Sequence, residues 1–129
     1  MKKIRVSAAV ITHNKKILCV QRGVNKLSYI SNKFEFPGGK IEPGESSSET
    51  VIREIKEELN MDISAQKELI IVEHTYPDFH ITMHTYLCSC SDDKVILNEH
   101  ISYKWLYKEE LNTLDWAEAD IPIVNFLNK

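Results

Sequence analysis

Glu54, Glu57 and Glu58 stand at offsets of three and four in the run Val51-Ile52-Arg53-Glu54-Ile55-Lys56-Glu57-Glu58-Leu59. On a helix turning about 100° per residue they fall within an arc of roughly 100°. Val51, Ile52, Ile55 and Leu59 make an apolar stripe beside that arc, and such a stripe faces a core. The carboxylates then sit at the edge of the buried face, while Lys56 and Glu49 point to solvent. Three like charges this close repel each other, and no Lys or Arg shares their arc, so something positive from outside the helix must offset them. Hard divalent cations prefer clustered oxygen ligands, and Mg²⁺ combines carboxylates with phosphate oxygens and water. Mg²⁺ is the expected ion and Mn²⁺ the alternative. A solvated acidic helix face is the bland reading of the same three residues. Their surroundings argue against it. Gly38-Gly39 lets backbone approach a ligand closely, and Arg53 can orient Glu57 or reach Glu45 through paired hydrogen bonds.

The elements that would carry these groups are legible in outline. Residues 4–11 and 17–21 are apolar and rich in β-branched side chains, and His13-Asn14-Lys15 between them reads as the turn of a hairpin. Residues 22–33 are polar and irregular and read as a loop. Phe34-Glu35-Phe36 alternates, and Pro37-Gly38-Gly39 is expected to break that strand. Pro43-Gly44-Glu45 is a further turn. Ser46 to Leu59 reads as the helix, capped by Ser46 or Ser47, with Glu49 placed for a capping box. Asn60 can end it by taking a left-handed conformation. Strands fit residues 68–74, 80–90 and 101–107, with a short helix over 108–113 and a last one over 119–128. Strands and helices interleave with no repeat or linker, so one α/β or α+β domain over residues 1–129 is expected.

Composition narrows the partners. The chain has 129 residues and a formal charge of −3, with Lys and Arg scattered. A long nucleic acid would call for a basic run, and there is none. No apolar run is long enough to span a membrane. Val6 to Ile11 is too short for a signal segment and fits a first strand instead. Cys19, Cys88 and Cys90 lack the paired spacing of a zinc site and read as small apolar strand residues of a cytoplasmic protein. His80 and His84 share a strand face, and the five histidines are taken as ordinary surface or core residues. Tyr76 and Trp116 are candidates to stack on a ligand.

Gly39, then Glu45, then Arg53-Glu54-Ile55-Lys56-Glu57-Glu58-Leu59-Asn60-Met61 resembles the Nudix box, with Asn60 where that family usually has Gly. The likeness runs further. Phe34 to Glu42 and Pro77 to Thr82 resemble the antimutator enzymes that hydrolyse oxidised dGTP. Glu99-His100, Trp105 and Ala119-Asp120-Ile121-Pro122 are similar to the bacterial CTP pyrophosphohydrolases. The resemblance implies an α/β/α sandwich around a mixed β-sheet, and hydrolysis of a nucleoside diphosphate linked to another group. It implies that Glu54, Glu57 and Glu58 hold metal with the Gly38 carbonyl, and that Glu45 and Arg53 support them. Glu99 would reach the metals or activate water from a loop outside the box. Arg22 would contact substrate phosphate, and Asp120 would read the base edge. Glu35 and Phe79 join these as substrate-binding candidates, although Phe79 stands where the antimutator group has arginine.

Hydrolysis with Mg²⁺, giving nucleoside monophosphate and pyrophosphate, follows from the nearest resemblances. The substrate is then a CTP-type pyrimidine nucleotide or 8-oxo-dGTP. Glu54 and Glu99 are both candidates for the base that takes the proton of the attacking water. A small-molecule nucleotide is the expected partner of a monomer or homodimer. Two other readings remain open at this level: a Nudix hydrolase of a sugar nucleotide or dinucleoside polyphosphate, and a nucleotide-binding module without turnover. The second is disfavoured because every box carboxylate is present.

Overall fold

A computed structural model describes all 129 residues. Seven strands form one mixed sheet: β1 (Lys2–His13), β2 (Lys16–Gln21), β3 (Phe34–Glu35), β4 (Gly38–Lys40), β5 (Ile63–Thr75), β6 (Phe79–Cys90) and β7 (Ser102–Tyr107). The main order is β3-β2-β1-β6-β5, with β4 against β1 and β7 against β2. Only β1 and β6 pair in parallel, from Lys2↔Phe79 to Thr12↔Ser89. Asn14 and Lys15, both at positive φ, make the tight turn between β1 and β2, the geometry that suits two-residue hairpins.

Beyond that turn β1 and β2 diverge, since they pair only at Thr12↔Ile17 and His13↔Lys16. The segment from Phe34 to Lys40 fills the split. Its first half pairs with β2, through Val20↔Glu35 and Gln21↔Phe34. Its second half pairs with β1, from Ala8↔Gly38 to Val6↔Lys40. Gly38-Gly39 therefore does not merely break a strand, as the sequence implied, but is itself strand β4. The reason is close approach: a Cβ at Gly38 would overlap the Ser7 carbonyl oxygen.

Alternation along β1 and β2 sends side chains to two cores. Ala9, Ile11, Leu18 and Val20 meet Val51, Ile55 and Leu59 of helix α1 (Ser47–Leu59) on one face. Ala8, Val10, Ile17 and Cys19 meet Phe36, Trp116, Leu111 and Ile123 on the other. Helix α2 (Ile121–Leu127) and two 3₁₀ turns, Lys108–Thr113 and Glu118–Asp120, cover that second face. The result is helix, sheet, helix, the expected sandwich. The expected helix over 108–113 is a 3₁₀ turn, and the last α-helix is shorter than 119–128. Strand β5 starts at Ile63, earlier than its polar residues 64–68 suggested.

Helix α1 begins as its sequence requires. The Glu49 amide donates to Ser46 Oγ (3.1 Å), and the Ser46 amide donates to Glu49 Oε1 (2.8 Å). Asn60 closes it at φ 53°, ψ 39°. One residue of the expected stripe is misplaced. Ile52 is exposed, and Thr50 is buried in its stead, donating to Glu45 Oε1 and to the Ser46 carbonyl. No helix is long and apolar enough to cross a membrane.

Candidate active site

The split between β1 and β2 opens into a cleft of about 450 Å³, within the range of small-molecule sites. Glu54, Glu57, Glu58, Glu99, Gly38 and Gly39 line one end. Tyr76, Phe79, Ile81, Ala119 and Asp120 line the other, and Arg22 and Glu35 lie on the wall between. Every metal, catalytic or substrate-contact candidate, except the supporting pair Glu45 and Arg53, borders this one cleft. Tyr76 borders it too. Trp116 does not; it stacks on Phe36 at 4.7 Å in the core and donates its indole N–H to the Leu111 carbonyl.

At the carboxylate end, Arg53 is the organiser. Its Nε and Nη2 donate to the two oxygens of Glu45 at 2.6 and 2.9 Å. Its Nη1 reaches Glu54 (3.2 Å) and Glu57 (3.3 Å), and Nη2 also donates to the Lys40 carbonyl. The arginine thus offsets part of the repulsion: it makes both contacts the sequence offered it, to Glu45 and to Glu57, and one more to Glu54. Hydrogen bonds from Arg53 and Thr50 hold Glu45 down to about 2, so it is a fixed anionic post. A Cβ at Gly39 would overlap the Glu54 carboxylate, so the glycine is the space in which that group lies.

Glu58 is different. It is buried, with Oε1 lacking any hydrogen-bond partner. Burial first, then the Glu99 and Glu54 carboxylates beside it, push its pKa up to about 9. Glu54 is also raised, chiefly by burial. Buried carboxylates crowded without a compensating charge are costly, and an orphaned carboxylate oxygen is the type of atom a cation satisfies. No three His, Cys, Asp or Glu side chains stand close enough together to hold a metal ion by themselves. Mg²⁺ does not need one, since water and phosphate oxygens complete its shell. An all-oxygen donor set with an unpaired buried oxygen therefore fits a hard divalent cation.

The middle wall is an ion-paired chain. Arg22 donates to Glu35 Oε1 (2.9 Å), and His100 Nε2 lies 2.9 Å from Glu35 Oε2. Burial alone would raise the Glu35 carboxyl, but the His100 hydrogen bond and the Arg22 charge outweigh it and hold the carboxyl low. Glu35 thus spends its oxygens on protein partners and carries Arg22, whose side chain stays partly exposed at the cleft. At the far end Asp120 is buried, and its Oδ2 accepts the Phe36 amide (2.8 Å). Burial, with the Glu35 charge added, raises its pKa well above the ordinary value. Burial thus favours its protonated form, and its Oδ1 makes no hydrogen bond within the protein. Tyr76 accepts the Ala119 amide at its hydroxyl (2.9 Å), and stacks on Tyr29 at 5.1 Å.

Sequence reasoning passed over two residues here. Asn98 donates its amide N–H to the Glu58 carbonyl (3.0 Å) and its side-chain NH₂ to the Glu57 carbonyl (2.9 Å). His100, taken from sequence as an ordinary surface or core histidine, has its side chain 5% exposed and paired with Glu35. Asn98 had no signal beyond its place beside Glu99, while His100 stood in the Glu99-His100 pair of the resemblance but was given no role.

The NUDIX domain model matches residues 1–127. An 8-oxo-dGTP diphosphatase of Escherichia coli (strain K12) is 30% identical, over all of this chain and 99% of that one. A CTP pyrophosphohydrolase of the same organism is 35% identical over 96% of this chain and 90% of that protein. Among solved structures, the E. coli ORF135 protein superposes with a TM-score of 0.82 at 30% identity, over 98% of this chain and 89% of that one. A MutT protein of the family Nudix hydrolase from methicillin-resistant Staphylococcus aureus 252 gives 0.73 at 40% identity, over 97% and 95%.

Proposed function

Because the chain belongs to the Nudix family and is a hydrolase acting on nucleotides, we propose that it converts a nucleoside triphosphate to monophosphate and pyrophosphate with Mg²⁺. The substrate class is a CTP-type pyrimidine nucleotide or 8-oxo-dGTP, the activities named for its two E. coli relatives. Residues 1–129 act as one unit in this reading.

The observation that carries it is the layout of the cleft. Carboxylates stand at one end, a cation-bearing arginine in the middle and a hydrogen-bonding carboxyl among apolar side chains at the other. That spacing matches the order of a nucleotide: polyphosphate, sugar, base. Glu54, Glu57, Glu58 and Glu99, with the Gly38 carbonyl, would hold Mg²⁺, and Mn²⁺ would serve in its place. When bound, the ion neutralises polyphosphate charge and acidifies a coordinated water. Glu54 is the better placed of the two candidate bases: half-buried, raised in pKa and steadied by Arg53, it is a carboxylate suited to accept a proton. Arg22, aimed by Glu35, contacts phosphate. Phe79, Tyr76 and Ile81 enclose the base, and Asp120 reads its edge. Burial favours the protonated Asp120 carboxyl, which in that form would donate through its hydroxyl to a base acceptor such as cytosine N3 or the guanine O6.

The test is a substrate panel of CTP, dCTP, 5-methyl-dCTP, dGTP, 8-oxo-dGTP and ADP-ribose, with pyrophosphate and phosphate measured separately. Fast release of pyrophosphate from a cytidine nucleotide or 8-oxo-dGTP supports the proposal. Faster hydrolysis of ADP-ribose than of every triphosphate overturns the substrate class.

A further inference from the structure

Glu99 is exposed on a stretch without regular structure, residues 91–101, yet it borders the carboxylate end of the cleft. A glutamate on such a stretch samples many positions unless the backbone on either side is fastened. Both neighbours are fastened, and to different parts of the site. On the N-terminal side, Ile96 and Asn98 donate backbone N–H groups to the Leu59 and Glu58 carbonyls, and the Asn98 side chain takes the Glu57 carbonyl. These are last-turn acceptors that α1 cannot satisfy itself. On the C-terminal side, His100 is 5% exposed and reaches Glu35, which holds Arg22. Ile101 N–H then donates to the Gln21 carbonyl.

The His100 ring carries a second observation. Its Nδ1 is buried without a partner. A histidine serving only to fill space would be poorly chosen, because an apolar side chain fills the same volume with no orphaned nitrogen. What the imidazole adds is the Nε2 bond to Glu35, in the way that outer carboxylate–histidine pairs orient ligands in metal sites.

We propose that Asn98 and His100 are positioning residues that hold the Glu99 carboxylate at the metal end from two sides, Asn98 against the last turn of α1 and His100 through Glu35 to Arg22. The inference rests on the reading that Glu99 reaches the metal. It also separates the two neighbours. Loss of Asn98 disturbs only the metal end, whereas loss of His100 also loosens the phosphate-contacting Arg22.

The experiment is a double-mutant cycle on the full chain, read by Mn²⁺ binding in the absence of nucleotide from the electron paramagnetic resonance signal of free Mn²⁺. Glu99→Gln, His100→Ala and Asn98→Ala should each weaken Mn²⁺ binding by about tenfold, as loss of an outer-shell partner does. In the Glu99→Gln background neither alanine should weaken it further. His100→Gln, which keeps an N–H donor at similar reach, should recover most of the loss. KM for the nucleotide should rise severalfold in His100→Ala and stay near wild type in Asn98→Ala. Losses that add in the double variants overturn the positioning role while leaving Glu99 as a ligand. A Glu99→Gln variant that binds Mn²⁺ like wild type removes the Glu99 reading, and the inference with it. If His100→Ala does not fold, as judged by circular dichroism, the cycle between surface-exposed Asn98 and Glu99 decides the matter.

Discussion

At the carboxylate end of the cleft, every candidate group but Glu99 comes from residues 38–58, whereas Arg22 on the wall, Tyr76 and Phe79 of the β5–β6 turn, and Asp120 come from three separate parts of the chain. The first end is built from one strand, one turn and one helix, cross-tied by a single arginine. The second is assembled only when β1 and β6 pair along eleven positions and the 118–120 turn lands on Phe36. Locally built sites tolerate change in the rest of the fold. Sites assembled from distant segments can change specificity without changing the reaction. That difference leads us to expect chemistry to fail at one end and selectivity at the other.

Glu57→Gln should break the first end most severely. Glu57 is exposed and makes one ion pair, with Arg53, so thermal melts should stay near wild type. Turnover at saturating Mg²⁺ should fall by more than about 10²-fold, beyond what losing an outer-shell partner costs. Near-normal turnover would remove Glu57 from the metal-holding set.

The two glycines sharpen the same end by failing differently. Gly38→Ala meets the Ser7 backbone, which cannot move aside without parting β4 from β1, and should cost about 1–3 kcal/mol of stability or more. Gly39→Ala meets only the flexible end of Glu54. It should fold and melt almost normally yet lose activity, because Glu54 is displaced. Denaturant titration beside steady-state kinetics separates the two. Equal stability losses would show that Gly39 is structural.

At the base end, Asp120→Asn should leave turnover on the best substrate within a few-fold. It should shift the ratio of kcat/KM between CTP and 8-oxo-dGTP by roughly tenfold or more, the discrimination available from one hydrogen-bonding contact. An unchanged ratio would take base reading away from Asp120. The same variant probes the buried carboxyl. Its folded pKa is raised by burial, so its stability contribution is whole below the unfolded value near about 4 and is lost as pH rises through the folded value. Wild type should therefore lose stability relative to Asp120→Asn as pH is raised above about 4. Parallel melting curves would show that Asp120 ionises as readily in the folded chain as in the unfolded one.

The smallest effect belongs to Asn60, the one departure from the usual box. Its φ of 53° is tolerated by Asn and is free for Gly. Asn60→Gly should change stability by less than about 1 kcal/mol and leave activity alone.

The helix, its capping box, its left-handed end and the fan of three glutamates were all readable in sequence, because each depends on residues within one or two turns of one another. The hairpin at Asn14-Lys15 was readable for the same reason. The break after Phe34-Glu35 was readable, but that Gly38-Gly39 resumes as β4 was not, because its strand partner, Ser7-Ala8, lies about thirty residues away. Ile52 was misplaced because the sheet's own position decides where the buried stripe of α1 is centred, and that centre fell toward Thr50.

What sequence by itself determined is the carboxylate-bearing segment: helical spacing puts three carboxylates together wherever that helix is placed. Only the tertiary structure decided which distant groups join them. The pairing of β1 with β6 and β4 brings Phe79 and the glycines to one cleft. The fit of the 118–120 turn against Phe36 buries Asp120, and that burial raises its pKa. The packing of residues 96–101 on α1 and Glu35 sets Glu99 between Asn98 and His100. Helical periodicity is local and repeats with every turn, whereas burial and pairing across the chain arise only from the packed whole.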